Sequence, residues 1–101
     1  MERQLEISKA AEKDIDKSGE WYDKQHPGLS LLFYDELNIF LNKINSNPGS
    51  FSAYKANSNT RKCSLKKFPY SIYYKLNPQK ISVIAVLHQA RSVRFLKKRL
   101  K

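Results

Sequence analysis

The spacing of apolar side chains in the first quarter of the chain predicts a strand followed by a helix. Residues 3–7 alternate between polar and apolar side chains, which places Leu5 and Ile7 on one face of a short strand. Ser8 then stands where an N-cap is expected, and a helix is predicted from there to about residue 25. One face of this helix carries small and apolar side chains: Ala11, Ile15, Ser18 and Tyr22.

A second helix is predicted over residues 29–45, after a turn at His26-Pro27-Gly28. Its apolar side chains recur at helical spacing and form a wide stripe that would face a core. The stripe consists of Leu29, Phe33, Leu37, Phe40, Leu41 and Ile44. Because the connecting turn is short, the two helices should pair antiparallel.

Three strands are predicted in the second half, over residues 61–67, 68–76 and 80–88. The third is apolar on both faces, which is typical of a central strand. In the tail, residues 92–101, apolar side chains stand at helical spacing among basic ones. Two interpretations of the tail stay open, a short amphipathic helix or a partly disordered basic arm.

These elements predict an α+β fold in the order β-α-α-β-β-β, on one domain that spans residues 1–101. The helical hairpin should pack on one face of a twisted, mainly antiparallel sheet. The other face, without a helical cover, should carry the exposed positions of the basic strands.

Charge is polarised between the two halves of the chain. Residues 1–50 hold six Lys/Arg and nine Asp/Glu (6 − 9 = −3), whereas residues 51–101 hold thirteen Lys/Arg and no acid (+13). A half of the chain that carries only positive charge attracts polyanions or an acidic protein partner. A Lys-rich face that is only solvated is the plainer alternative.

Several classes of protein are disfavoured by composition. A lone cysteine and two histidines in unrelated contexts predict no disulfide, no metal site and no cofactor. No apolar run approaches the length of a membrane span, and the N-terminus lacks the pattern of a signal peptide. We therefore expect a cytoplasmic protein without a membrane partner.

The ordered set of motifs resembles the RelE/ParE toxin superfamily from residue 5 to about residue 95. After the opening strand comes Ser8-x-x-Ala11-x-x-Asp14, and Trp21-Tyr22 stands late in the first predicted helix. The remaining matching positions are Pro27-Gly28-Leu29, Phe33, Leu37, Asn47-Pro48, the string from Lys67 to Tyr74 with its Phe68-Pro69-Tyr70 triplet, Ile81 to Val86, His88 and Arg91.

The resemblance implies the toxin of a type II toxin–antitoxin pair, of the plasmid-stabilisation kind, in a hetero-oligomer with a cognate antitoxin. ParE-like members are associated with DNA gyrase, whereas RelE-like members cut messenger RNA in the ribosome. RelE-like nucleases usually carry Arg at the middle of their Tyr-x-Ile motif, and Ser71 stands there in this chain. A hydroxyl cannot grip phosphate as a guanidinium does, so the ParE-like branch is favoured.

RNA cleavage without a metal needs a base, a cation and an acid around the phosphate. The catalytic candidates are His88 and Arg91, although a histidine at a strand end is more often structural. Phe95, in the tail, cannot carry the proton that RelE-like members move there. Enzymatic activity is therefore uncertain and is not favoured.

The remaining candidates are binding residues. Target or nucleic-acid binding is predicted for Arg61, Lys62, Lys66, Lys67, Tyr73, Lys75, Arg91 and Arg94. Antitoxin binding is predicted for Trp21, Phe95 and Leu96. Three functions stay open in order of preference: a ParE-like toxin, a RelE-like ribosome-dependent endoribonuclease, and a harmless basic nucleic-acid-binding relative.

Overall fold

The computed structural model describes residues 3–54, 59–90 and 92–100, the last range with side chains from Arg94 onward. Its elements follow the predicted order and end in a third helix. In chain order they are β1 (Gln4–Ile7), α1 (Lys9–Gln25), α2 (Leu29–Ser46), a 3-10 turn (Pro48–Ser50), β2 (Thr60–Ser64), β3 (Tyr70–Leu76), β4 (Lys80–His88) and α3 (Ser92–Leu100).

The described strands form one mixed sheet in the order β1-β4-β3-β2. β1 runs parallel to β4, while the β4–β3 and β3–β2 pairs are antiparallel. β4 is central, as its apolar faces predicted. Its register against β3 shifts between Tyr73 and Tyr74, because Ile84 has no partner there. This bulge turns Ile84 and Ala85 toward the same side of the sheet.

The helical hairpin is closed by side chains of α1. The Ser8 hydroxyl accepts the Ala11 N–H at 3.0 Å and caps α1 as predicted. Gly28 precedes α2 with a φ of 90°, a left-handed conformation that favours glycine. The Asp23 carboxylate then accepts the backbone N–H of Ser30 at 2.9 Å, the Ser30 hydroxyl at 2.7 Å and the Gly28 N–H at 3.2 Å. These bonds lower the pKa of Asp23, with the Ser30 N–H as the largest cause.

The main core lies between this hairpin and one face of the sheet. The predicted stripe of α2 is confirmed, since Phe33, Leu37, Phe40, Leu41 and Ile44 are all buried. They pack against inward side chains of the strands, which include Cys63, Ile72, Tyr74, Ile81 and Val83.

Gly19 of α1 lies against the Tyr34 ring of α2. A Cβ atom at this position would overlap the hydroxyl end of Tyr34. The glycine that interrupts the helical pattern of α1 therefore makes room for an aromatic ring of α2.

Two hydrogen-bonded anchors join α2 and the turn after it to the sheet. The buried Glu36 carboxylate accepts the N–H of Lys67 at 2.8 Å and that of Phe68 at 3.2 Å. The Tyr74 hydroxyl donates to the Pro48 carbonyl at 2.6 Å, and burial raises the pKa of Tyr74 to about 12. Backbone groups that the sheet leaves unpaired are satisfied in this way.

The second face of the sheet is not open, which corrects the prediction of an uncovered basic face. α3 packs on it and buries Leu96 against Tyr73, Ala85 and Leu87. Tyr73 is 0% exposed, and its hydroxyl has no hydrogen-bond partner among the described residues. The amphipathic-helix interpretation of the tail is the one confirmed for Ser92–Leu100.

α3 is held by an ion pair that sequence reasoning missed. Arg99 donates to both carboxylate oxygens of Asp14, at 2.7 and 2.9 Å, and to the Ile84 carbonyl at 3.0 Å. Asp14 also accepts the Val86 N–H at 3.0 Å. β1 pairs with β4 only as far as Val83. Beyond that point Asp14 and Arg99 take the place of a strand partner, because they bind the Val86 N–H and the Ile84 carbonyl of β4. The bond to Asp14 raises the pKa of Arg99.

Candidate functional site

A groove of about 750 Å³ lies between the end of α1 and the ends of β3 and β4. It combines aromatic walls with polar groups, as binding sites commonly do. Its lining includes Lys17, Trp21 and Tyr22 from α1, and Tyr70 and His88 from the sheet. The structure therefore brings the catalytic candidate His88 and the antitoxin candidate Trp21 to one surface feature.

The walls of this groove are a connected set of rings. Tyr22 lies edge-on to Trp21 at 5.1 Å and to Tyr70 at 6.0 Å between ring centroids, and Tyr70 lies edge-on to His88 at 5.2 Å. Burial, and then the neighbouring Tyr70, raises the pKa of Tyr22 to about 12. The Tyr22 hydroxyl therefore stays protonated at neutral pH.

The hydrogen bond at His88 assigns the proton of its neutral ring. Nδ1 accepts the backbone N–H of Ala90 at 3.1 Å, so in the neutral imidazole the proton sits on Nε2. A ring in this tautomer offers a hydrogen-bond donor at Nε2 and no free lone pair. A general base at Nε2 would first have to exchange its tautomer and give up the Ala90 contact. Arg91, the other catalytic candidate, lies outside the described residues.

Ser71, which stands where RelE-like nucleases usually carry Arg, is 0% exposed. Its hydroxyl is 3.0 Å from the Ser64 hydroxyl on β2. The neighbouring Tyr73 is buried under α3, so the ring that is predicted to bind a target is not accessible in this structure. Neither position can meet a phosphate while α3 is docked.

The predicted basic residues that the structure describes lie on the strands β2 and β3, on the turn between them and on α3. Lys66 and Lys67 are exposed in the turn between β2 and β3, beyond the end of the strand predicted for them. Lys62 and Lys75 are half-buried on β2 and β3, and Arg94 is exposed on α3.

Arg61 is already engaged within the chain. Its guanidinium donates to the carbonyl oxygens of Gly49 and Phe51. Both bonds come from Nη1, and the side chain is half-buried, so target binding by Arg61 stays a prediction. Through these bonds Arg61 ties β2 to the 3-10 turn and to the residue that follows it.

The three predicted antitoxin contacts differ in accessibility. Trp21 is 55% exposed and Phe95 is 40% exposed, so both can meet a partner. Leu96 is 0% exposed because it is the contact of α3 with the sheet, so this predicted antitoxin contact is not accessible in this structure.

Two further structural findings bear on function. Among residues 3–54, 59–90 and 92–100 there is no group of three or more His, Cys, Asp or Glu side chains placed to hold a metal ion. Within the same residues, no helix is long and apolar enough to cross a membrane.

The comparison with protein families decides the class. The family model described as "ParE toxin of type II toxin-antitoxin system, parDE" matches residues 5–93. The chain belongs to the ParE toxin family. The match runs from β1 into the start of α3, and it includes the groove residues of this ParE-family chain. No curated protein matches it by sequence search.

Solved structures confirm the ParE fold. A chain of the chromosomal ParDE TA system from P. aeruginosa superimposes with a TM-score of 0.76 and 14% identity, over 85% of this chain and 95% of that one. A chain of the E. coli DinJ-YafQ toxin-antitoxin complex gives a TM-score of 0.66 and 14% identity, over 92% and 99% of the two chains. Both neighbours come from toxin–antitoxin systems.

Proposed function

We propose that this ParE-family toxin arrests growth by binding an essential protein target in the cytoplasm, with DNA gyrase as the first target to test. A cognate antitoxin is proposed to hold it inactive in a hetero-oligomer. The mode of action is binding without covalent chemistry by the toxin itself.

The closed second face of the sheet carries this proposal. Ser71 and Tyr73, the positions at which a nuclease of this fold would meet RNA, are both 0% exposed. The described part of the groove adds a donor at His88 and a cation at Lys17, but no free base. Such a surface is suited to a hydrogen-bonded and apolar contact with a protein.

A supercoiling assay tests the target. Purified wild-type toxin and its Trp21→Ala variant are each titrated against DNA gyrase and relaxed plasmid. The substitution removes the exposed ring at the groove. Inhibition by the wild type that weakens in Trp21→Ala is expected, because exposed aromatic anchors dominate many interfaces. Full supercoiling at a large excess of folded toxin would exclude gyrase.

Ribosome-dependent cleavage of messenger RNA is the second candidate. It is favoured by the acid-free half of the chain, with thirteen Lys/Arg in residues 51–101, and by His88 in a groove beside Lys17. The comparison is translation-coupled cleavage by the wild type, His88→Ala and Arg91→Ala. Cleavage that is abolished by either change would replace the binding proposal, and absence of cleavage by the wild type would support it.

A further inference from the structure

The groove between the end of α1 and the ends of β3 and β4 contains hydrogen-bond donors that the chain itself does not use. Tyr22 is 7% exposed and Tyr70 is 9% exposed, so both side chains that line it are more than nine-tenths buried. Within the described residues neither hydroxyl makes a hydrogen bond, yet neither is fully enclosed, as the Tyr73 hydroxyl is. Buried polar groups are normally paired, so two phenols without partners at one groove indicate donors kept for a ligand.

His88 and Lys17 add two more donors to the same groove. Because Nδ1 of the neutral His88 ring accepts the Ala90 N–H, the ring proton lies on Nε2 and makes that atom a donor. Tyr70 lies edge-on to His88 at 5.2 Å and to Tyr22 at 6.0 Å between ring centroids. Three of the donors therefore belong to one cluster of rings.

The lining carries a single formal charge. Its described residues include Lys17 but no Asp or Glu side chain, and His88 is neutral in the tautomer above. One cation beside three neutral donors is complementary to a monoanion with several acceptor positions, and a carboxylate has about four. A phosphate dianion is better matched by guanidinium groups or by runs of backbone N–H groups, and the described lining contains no arginine.

The rest of the lining is mainly apolar. Trp21 is 55% exposed and lies edge-on to Tyr22 at 5.1 Å between ring centroids, so the indole presents ring surface at the groove. Pro69 and Ala90 line the side formed by the sheet and the residues after it. A flat apolar group can pack against an exposed indole while a polar end of the same ligand meets the donors.

We propose that this groove binds a carboxylate group carried on an aromatic or apolar body. The carboxylate accepts hydrogen bonds from the hydroxyls of Tyr22 and Tyr70 and from Nε2 of His88. Lys17 supplies the opposite charge, and the apolar body packs against Trp21.

Two sources present this chemistry, an acidic side chain next to an aromatic one in a protein segment, and a free aromatic acid. The inference deepens the proposed function, on which the protein source rests, because it names the ligand chemistry of the surface proposed to meet the target.

The fluorescence of Trp21, the only tryptophan in the sequence, reports whether the groove is occupied. Two pairs of probes differ within each pair in charge: N-acetyl-phenylalanine and its amide, and the capped dipeptides acetyl-Phe-Asp-amide and acetyl-Phe-Asn-amide. In each pair the acid should bind the full-length toxin at least about fivefold more tightly, because charge strengthens its hydrogen bonds to the donors. Tighter binding of the dipeptide acid than of N-acetyl-phenylalanine assigns the protein source, and the reverse order assigns the free acid.

Substitutions in the groove separate hydrogen bonding from shape. Tyr22→Phe and Tyr70→Phe each remove a hydroxyl and keep the ring. Each should weaken binding of the acids about threefold or more and change binding of the neutral probes less than about twofold. Lys17→Met should also weaken binding of the acids, by a factor that shrinks at high salt. Lys9→Met is the matched control, since Lys9 is exposed on α1 and does not line the groove.

A thermal unfolding curve for each variant checks that it is folded. Equal affinity of acid and neutral probe for the wild type would overturn the carboxylate site, and gyrase inhibition that still depends on Trp21 would then leave the proposed function intact. Binding of the acids as expected, by a toxin that leaves supercoiling unchanged, would support the site and exclude gyrase. Acid affinities that are unchanged in both tyrosine variants, or tighter binding of phenyl phosphate than of either acid, would overturn the inference.

Discussion

Replacing Arg99 with Met removes the cation that fixes α3 to the sheet. The guanidinium makes three hydrogen bonds, to both Asp14 oxygens and to the Ile84 carbonyl. The Arg99 side chain is 25% exposed and the Asp14 side chain 13% exposed, so the pair is neither fully solvated nor fully buried.

The magnitude follows from this intermediate burial. Removing one partner of a fully buried pair costs about 3–5 kcal/mol, whereas an exposed pair contributes about 0–1 kcal/mol. We expect Arg99→Met to lower the free energy of unfolding by about 1–2 kcal/mol, because water can reach the freed Asp14 and Ile84 oxygens. Asp14→Ala should cost more, about 2–4 kcal/mol, since it leaves the Val86 N–H without an acceptor and Arg99 with the Ile84 carbonyl alone.

Urea unfolding followed by circular dichroism measures both variants, their double mutant and the control Lys98→Met on the exposed side of α3. The double mutant should be about as stable as Asp14→Ala alone, because the pair acts as a unit. Amide hydrogen exchange in α3 should accelerate in Arg99→Met and not in Lys98→Met. The anchoring role would be refuted if the free energies of unfolding of Arg99→Met and Lys98→Met differed by less than about 0.5 kcal/mol and amide exchange in α3 were unchanged.

Substitutions at four further positions should change stability in a direction that the structure predicts. Gly19→Ala should destabilise the wild type by about 1 kcal/mol, because the new methyl group clashes with Tyr34. In a Tyr34→Ala background it should stabilise the protein by a similar amount, because alanine has the higher helix propensity. A change in stability of the same sign in both backgrounds would contradict the clash. Asp23→Asn should lower the Tm near pH 7, and the difference should vanish as pH falls below about 4. That sign follows because the folded state lowers the pKa of Asp23, so its stabilisation is present above the unfolded pKa and is lost as the carboxylate is protonated; a difference that persists at pH 2 would exclude this cause. Glu36→Ala should cost about 2–4 kcal/mol in urea unfolding because two backbone N–H groups lose their acceptor, and Glu36→Gln should cost less. Tyr73→Phe should raise stability by up to about 1 kcal/mol, since the buried hydroxyl has no described partner, and a loss of stability would reveal one.

The element order and the main core could be predicted from the sequence because both depend on periodicity. The stripe of α2 from Phe33 to Ile44 is buried as predicted, and the alternating side chains Ile72 and Tyr74 of β3 are buried with it. In each case one regular element buries one face, and the spacing of apolar side chains reports that face directly.

The second face of the sheet could not be predicted in this way. The bulge at Ile84 breaks the period of two in β4, and only pairing with β3 shows it. The bond between Asp14 and Arg99 joins residues 85 positions apart, so no local pattern indicates it. Burial of Tyr73 and Leu96 depends on both features.

For the candidate sites too, the sequence indicates individual residues, and only the fold shows which of them lie together. Residue type made Trp21 a candidate antitoxin contact and His88 a candidate catalytic group. That they line one groove follows from the fold, because α1 ends beside β3 and β4. The groove of about 480 Å³ between α2 and the turn from β2 to β3 was missed because Leu32 and Ile39, which line it, fall outside the buried stripe. Their large exposed fractions identify them only after the fold is known.

Viable counts after induced expression, with and without the neighbouring reading frame, test the toxin assignment most directly. Growth arrest on induction of this chain alone, relieved when the neighbouring product is co-expressed, is the result predicted for the toxin of a type II pair. Unchanged growth while folded, full-length protein accumulates in the cell would contradict it.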